Sequence, residues 1–216
     1  MKPQLNRSFS RRIGKSLSNT QKQIIDEELD NYLLKPEEIT DSIAEIGIGM
    51  GEHFINLCKS HPDKICIGFE PYMNGIANSL LLAKKAGITN LRLWPDDMDL
   101  AFHKLPKNSI QKLYILFPDP WPKTKQKKRR IICEERIKLF AEKMPIGGEL
   151  YFASDIEDYY NSVTKLLSSN PYFKLNTTSP EIPHENYIKT KYHNKAETEG
   201  RAPQFCKAVL YSPRSG

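Results

Sequence analysis

Apolar positions along this chain switch period many times, and the switching defines the elements. Ser18 is a cap-forming residue, and Ile24, Ile25, Leu29, Tyr32 and Leu33 follow it at helical spacing until Pro36 closes the helix. From there short apolar runs alternate with helical patterns. The runs "SIAEIGI" (42–48), "KICIGFE" (64–70), "NLRLW" (90–94), "IQKLYILF" (110–117) and "GELYFASD" (148–155) predict strands. Helices are expected at 50–60, at 72–87 ending on Gly87, at 98–105, at 131–144 and at 156–169. The strands "YFKLN" (172–176) and "QFCKAVLYS" (204–212) come last, with no helix expected between them. Strict alternation followed by two unbroken strands predicts an α/β fold. It is a doubly wound, Rossmann-like, mostly parallel sheet with an antiparallel C-terminal edge pair. The connection 177–203 is too long to be idle and is expected to have a task.

Charge adds a second pattern. The 216 residues carry a formal net charge of +6, concentrated in two places. Residues 1–25 hold six Lys/Arg and no acid, and residues 123–130 hold six more, again unopposed. Outside both islands 20 Lys/Arg face 26 Asp/Glu, so the rest of the chain is mildly acidic. Two basic islands on an acidic body predict a localised phosphate footprint, hence a nucleic-acid partner. One basic run alone would be read as a solvated loop. The organisation expected is a basic arm at 1–17 and one domain over 18–216.

The four cysteines form no C-x-x-C pair, and the five histidines show no zinc spacing, so no metal is expected. Reduced, mostly buried thiols in a cytoplasmic protein are the expectation. No apolar run is long enough to span a bilayer. The acid-free N-terminus also fits a mitochondrial transit peptide, a reading ranked second because the arm lacks an amphipathic stripe and runs into a capped helix. Monomer and homodimer stay open.

The first strand ends in "EIGIGMGE", where Gly47, Gly49 and Gly51 permit a tight turn and close approach of a ligand. Glu70 ends the second strand, where a carboxylate can hold ribose hydroxyls. Together they predict an adenosine-containing cofactor. The glycine spacing is not the dinucleotide G-x-G-x-x-G, and Glu45 beside it would repel a pyrophosphate. S-adenosylmethionine is cationic and carries no phosphate, so the charge favours it over NAD. Asp97 follows the third strand, where an acid can reach the adenine amino group or cap the next helix.

After the fourth strand comes "FPDPWPKTKQKKRR" (117–130). In a doubly wound sheet this segment faces the glycine turn across the crevice where strand order reverses. Pro118 and Pro120 stiffen the backbone around Asp119. Trp121 is expected to wall the pocket, to stack on a base or to pack in the core. The cations that follow, Lys123 through Arg129 and Arg130, are expected to grip phosphates in a mobile loop. Asp155, ending the fifth strand, is a second base-holding candidate or a helix cap.

These blocks resemble one family. "EIGIGMGEHF", "GFEPYMNGI", "LYILFPDPWPKTKQKKRR", "GGELYFASD" and "TKYHNKAETEGRAPQF" are similar to the motifs of the bacterial tRNA (guanine-N7-)-methyltransferases, and "RSFSRRIGK" is similar to their N-terminal arm. The resemblance implies methyl transfer from S-adenosylmethionine to N7 of guanosine 46 in the tRNA variable loop. It implies that Glu45, Glu70, Asp97 and Asp119 bind the donor, with Asp119 also the catalytic acid. Lys123, Asp155 and Thr190 are implied on the RNA side. The family usually has Glu where this chain has His193, so Asp155, Glu197 or Glu199 would have to replace that contact, or affinity would fall. The alternatives are a methyltransferase acting on exocyclic amines of nucleic acid, an inactive methyltransferase-like RNA-binding protein and, more distantly, an NAD-linked oxidoreductase.

Overall fold

The structure is a computed structural model that describes residues 16–179 and 187–211. The basic arm before residue 16 lies outside the described residues. The described chain builds a seven-stranded sheet in the order β3-β2-β1-β4-β5-β7-β6. Strands β1 (Ser42–Ile46), β2 (Ile65–Phe69), β3 (Leu91–Trp94), β4 (Ile110–Leu116) and β5 (Glu149–Ser154) are parallel. Strand β7 (Gln204–Leu210) returns antiparallel beside β5, and β6 (Phe173–Ser179) pairs antiparallel with β7 at the edge. This is the doubly wound sheet with an antiparallel C-terminal pair that the alternation predicts.

The strands are apolar on both faces because both are covered. Along β1 and β4 successive side chains enter opposite cores. Ile43, Tyr114 and Leu116 pack with α1 (Asn19–Tyr32), α2 (Glu52–Ser60) and α3 (Met73–Ala86). Ala44, Ile46, Leu113 and Ile115 pack with α4 (Met98–Phe102), α5 (Glu134–Lys143) and α6 (Glu157–Ser169). The first helix begins with a capping box in which Ser18 accepts from Gln21 N–H and the Gln21 side chain accepts from Ser18 N–H. Among the described cysteines all are free thiols, and Cys58, Cys66 and Cys206 are buried.

One expectation is corrected. The connection between β6 and β7 is not helix-free: it contains α7 (Lys191–Thr198), capped by the Thr190 side chain. Its sequence, KYHNKAET, buries only His193 and Ala196, too few apolar positions to draw a helical stripe. Among the described residues no helix is long and apolar enough to cross a membrane.

Candidate active site

Strand order reverses at β1, whose neighbours are β2 and β4. At the carboxyl ends of these strands opens a crevice of about 270 Å³. The glycine turn and the Asp119 turn both line it, so the two motifs singled out from the sequence meet there.

Strand β1 and its turn form one wall. Gly47, Gly49 and Gly51 all have positive φ (79°, 56° and 85°), backbone that glycine adopts without strain. Glu70 is buried at the end of β2, and its two carboxylate oxygens accept from Gly49 N–H and Tyr72 N–H, each at 2.9 Å. Burial pushes the Glu70 carboxyl up to about 7; the two amide bonds oppose this, and the nearby Asp119 and Glu45 carboxylates add to it. Gly75 on α3 completes this wall: a Cβ there would lie 2.1 Å from the Gly49 carbonyl oxygen. A glycine inside a helical pattern was the available sequence signal for that close approach.

Glu45 does not line the crevice. It is 2% exposed within β1, hydrogen-bonded at 2.9 Å to His53 of α2. Asp97 is likewise 2% exposed and caps α4 by accepting from Asp99 N–H. The acid that β3 brings to the crevice wall is its neighbour Asp96. Adjacent acids are indistinguishable by position until the cap decides which of them turns inward.

The facing wall is the segment after β4. Phe117 and Trp121, on either side of the Pro118-Asp119-Pro120 unit, both have positive φ, 51° and 41°. Bulky side chains rarely adopt that region, at a typical cost of about 1–3 kcal/mol each, and such strain concentrates at functional sites. Asp119 is exposed at the crevice. The basic run is not an open loop: Thr124–Arg129 forms a 3-10 stretch. Lys123, Lys125 and Lys128 are exposed. Arg129 lies 4.9 Å over the Trp121 ring and joins the crevice lining. Arg130 departs from the expected phosphate grip. It is 4% exposed, and its guanidinium bonds the Pro120 carbonyl, Ser162 and Asp158.

Toward β5 and α7 the expected RNA-side residues are engaged within the chain. Asp155 accepts from Arg201 at 2.6 Å and does not cap α6. Arg201 also pairs with Glu199. Thr190 caps α7 by accepting from His193 N–H at 3.1 Å. His193 points inward, 4% exposed, among Phe117, Tyr187 and Phe205. Its Nδ1 meets the Tyr187 hydroxyl at 2.8 Å and its Nε2 meets Glu197 at 3.2 Å. The α7 side chain at the crevice is Tyr192, 55% exposed and close to Gly49.

The titratable lining consists of Glu70, Asp96 and Asp119 with Tyr72 and Tyr192, against Arg129. That acid excess suits a cationic adenosine derivative and opposes a pyrophosphate. Each Glu70 oxygen keeps lone-pair capacity beyond its amide bond, so ribose hydroxyls can donate to it. No group of side chains among the described residues is arranged to hold a metal ion.

Comparison with known proteins agrees. The profile of a family described as "Putative methyltransferase" matches residues 40–206. A "Bifunctional methyltransferase" of Rickettsia felis is 49% identical over 206 residues, 93% of this chain and 39% of the relative. The chain therefore spans about two-fifths of that relative's length. A "tRNA (guanine-N(7)-)-methyltransferase" of Azorhizobium caulinodans is 33% identical over 211 residues, covering 91% of this chain and 92% of the relative. Among solved structures, the 16S rRNA methyltransferase KamB has a TM-score of 0.57 at 13% identity, covering 95% of this chain and 99% of its own. A 16S rRNA (adenine(1408)-N(1))-methyltransferase with bound S-adenosylmethionine has a TM-score of 0.55 at 12% identity, with coverages of 95% and 96%. At that identity the likeness is one of fold. With the profile and a relative matched over nearly its whole length, the chain belongs to the tRNA (guanine-N7-)-methyltransferase family of class I S-adenosylmethionine-dependent methyltransferases.

Proposed function

We propose that this chain transfers a methyl group from S-adenosylmethionine to N7 of guanosine in tRNA, with guanosine 46 of the variable loop as the target. The observation that carries the reading is the shared crevice: the glycine turn with Glu70 on one wall and the Asp119 turn on the other. When bound, S-adenosylmethionine supplies a methyl group made electrophilic by its sulfonium. Glu70 would accept from the ribose hydroxyls, and Asp96 from the adenine amino group. Asp119 is exposed at the opposite wall, where it would face both the donor and an incoming base.

The residues need not move a proton. Guanine N7 presents an in-plane lone pair and carries no hydrogen. Their work is to hold that lone pair in line with the methyl carbon, and positioning of this kind can lower a barrier by roughly 7–11 kcal/mol. Positive charge grows on the purine as the bond forms, and the Asp119 carboxylate stabilises it. Tyr192 and Trp121 line the same crevice as apolar walls for a flat ring. Lys123, Lys125 and Lys128 project cations for the flanking phosphates.

The test is to incubate the protein with unmodified tRNA and labelled donor, then map the product. N7-methylation creates a cationic base whose imidazolium ring opens in mild alkali, so that aniline then cuts the strand at that nucleotide, expected to be position 46. A label on an exocyclic amine, stable to alkali, would replace this reading with the amine-methyltransferase alternative.

A further inference from the structure

We propose that Arg130, braced by Asp158, is a positioning residue that holds the Asp119 turn in its strained shape. Arg130 reads in the sequence as the last of six uniform cations. In the fold it alone among them is buried. Its Nε donates to the Pro120 carbonyl at 2.9 Å, one Nη to Ser162 Oγ at 3.0 Å and the other to Asp158 at 2.5 Å. The guanidinium lies 4.5 Å over the Tyr159 ring. One planar fork therefore ties the Asp119 turn to α6, with each nitrogen matched to a separate acceptor.

The atom it grips gives the bracket its meaning. The Pro120 carbonyl belongs to the peptide plane leading into Trp121, whose φ is 41°. Left unheld, that torsion relaxes toward negative φ, and the relaxation swings Asp119 on the other side of Pro120. The bracket is itself anchored. The Arg130 carbonyl accepts from Arg136 at 3.2 Å, and Arg136 forms a buried pair with Asp99 at 2.7 Å. Asp158 also accepts from Lys127 at 2.8 Å, so one carboxylate on α6 restrains both ends of the last turn of the basic segment. Lysine at position 130 would keep the charge and lose the fork.

The role rests on the methyl-transfer reading, so the test has one readout that needs no methyl acceptor. The chain has two tryptophans, and in a Trp94→Phe background Trp121 alone reports on the turn. In that background Arg130→Lys is expected to raise acrylamide quenching of Trp121 at least twofold. In turnover it lowers kcat at least tenfold and leaves KM for tRNA within twofold. Asp158→Asn, an exposed change that keeps the Pro120 and Ser162 bonds, moves both readouts the same way by a smaller factor, and serves if Arg130→Lys fails to fold. Unchanged quenching overturns the proposal. So does a rise in KM at constant kcat, which would make Arg130 a phosphate contact. If the parent protein methylates no tRNA, the functional reading fails alone and the quenching comparison still decides the bracket.

Discussion

The two walls of the crevice are built by different means. The glycine wall is backbone against backbone: Glu70 accepts two amides, and α3 approaches so closely that Gly75 has no room for a Cβ. The Asp119 wall is side chain and charge: a strained turn, a buried guanidinium fork, an arginine over a tryptophan and a fringe of exposed lysines. A donor that is identical in every turnover suits a rigid mould. A base arriving on a large polyanion suits a wall that combines one fixed carboxylate with adaptable cations. Damage to the first wall should therefore appear in donor affinity, and damage to the second in turnover or in tRNA affinity.

The largest effect expected is on the second wall. Asp119→Ala should lower kcat by about 10²–10³, the range for loss of one transition-state electrostatic contact, while tRNA affinity stays within threefold. Single-turnover methylation with a parallel tRNA-binding titration measures both. Near-normal turnover would remove Asp119 from the chemistry and erase the contrast between the walls. Next comes the first wall. Gly75→Ala inserts a methyl where only 2.1 Å separates it from the Gly49 oxygen, so either α3 or the glycine turn must shift. Overpacking of that kind costs about 1–3 kcal/mol, which is roughly 5- to 150-fold in donor affinity if the turn yields. Calorimetry with S-adenosylmethionine checks it, and unaltered affinity would mean that the mould is softer than its geometry.

Replacing Lys123, Lys125 and Lys128 with Ala should act on tRNA alone. Three lost phosphate contacts reduce the salt slope by about 2–3, equivalent to roughly thirtyfold between 50 and 200 mM salt. Binding measured across that range tests it, and an unchanged slope would return these lysines to a merely solvated surface.

How far the sequence disclosed this contrast depended on the kind of force involved. The glycine wall was legible because a positive-φ turn after an apolar strand, followed by an acid at the next strand end, leaves a compositional mark. The sheet was legible because the apolar period changed at each element. The Asp119 wall was legible only in outline. The prolines marked stiffness, yet nothing marked positive φ at Phe117 and Trp121, which their residue types disfavour. Six cations in eight residues look equivalent until Asp158 and the Pro120 carbonyl select one of them. His193 stood in a motif position that suggested substrate contact. Its direction was set instead by Tyr187 and Glu197 within the same segment, and Tyr192 took the crevice. Long-range partners such as Ser162 and Asp158, which select Arg130, leave no local trace.

The smallest effect expected is the one that isolates the glycine wall from its neighbour. The Glu70 carboxyl is raised to about 7, chiefly by burial, so near neutral pH it is divided between two protonation states. A raised carboxyl favours its neutral form in the fold. Its contribution to folding stability is thus full below the ordinary carboxylate range and is lost as pH rises through about 7. Donor binding runs the opposite way. A cationic ligand prefers the ionised carboxylate, so affinity should rise with pH through the same window and then level off. For one group titrating near 7, the ionised fraction grows about tenfold between pH 6 and pH 8, and affinity for S-adenosylmethionine should follow it. Glu70→Gln should bind more weakly and lose this slope, whereas Asp119→Asn should keep most of it, because Asp119 is only a lesser cause of the Glu70 shift. If the slope survives in Glu70→Gln, another carboxylate of the crevice, Asp119 or Asp96, governs donor binding, and its loss in Asp119→Asn instead would reverse the division of labour between the walls.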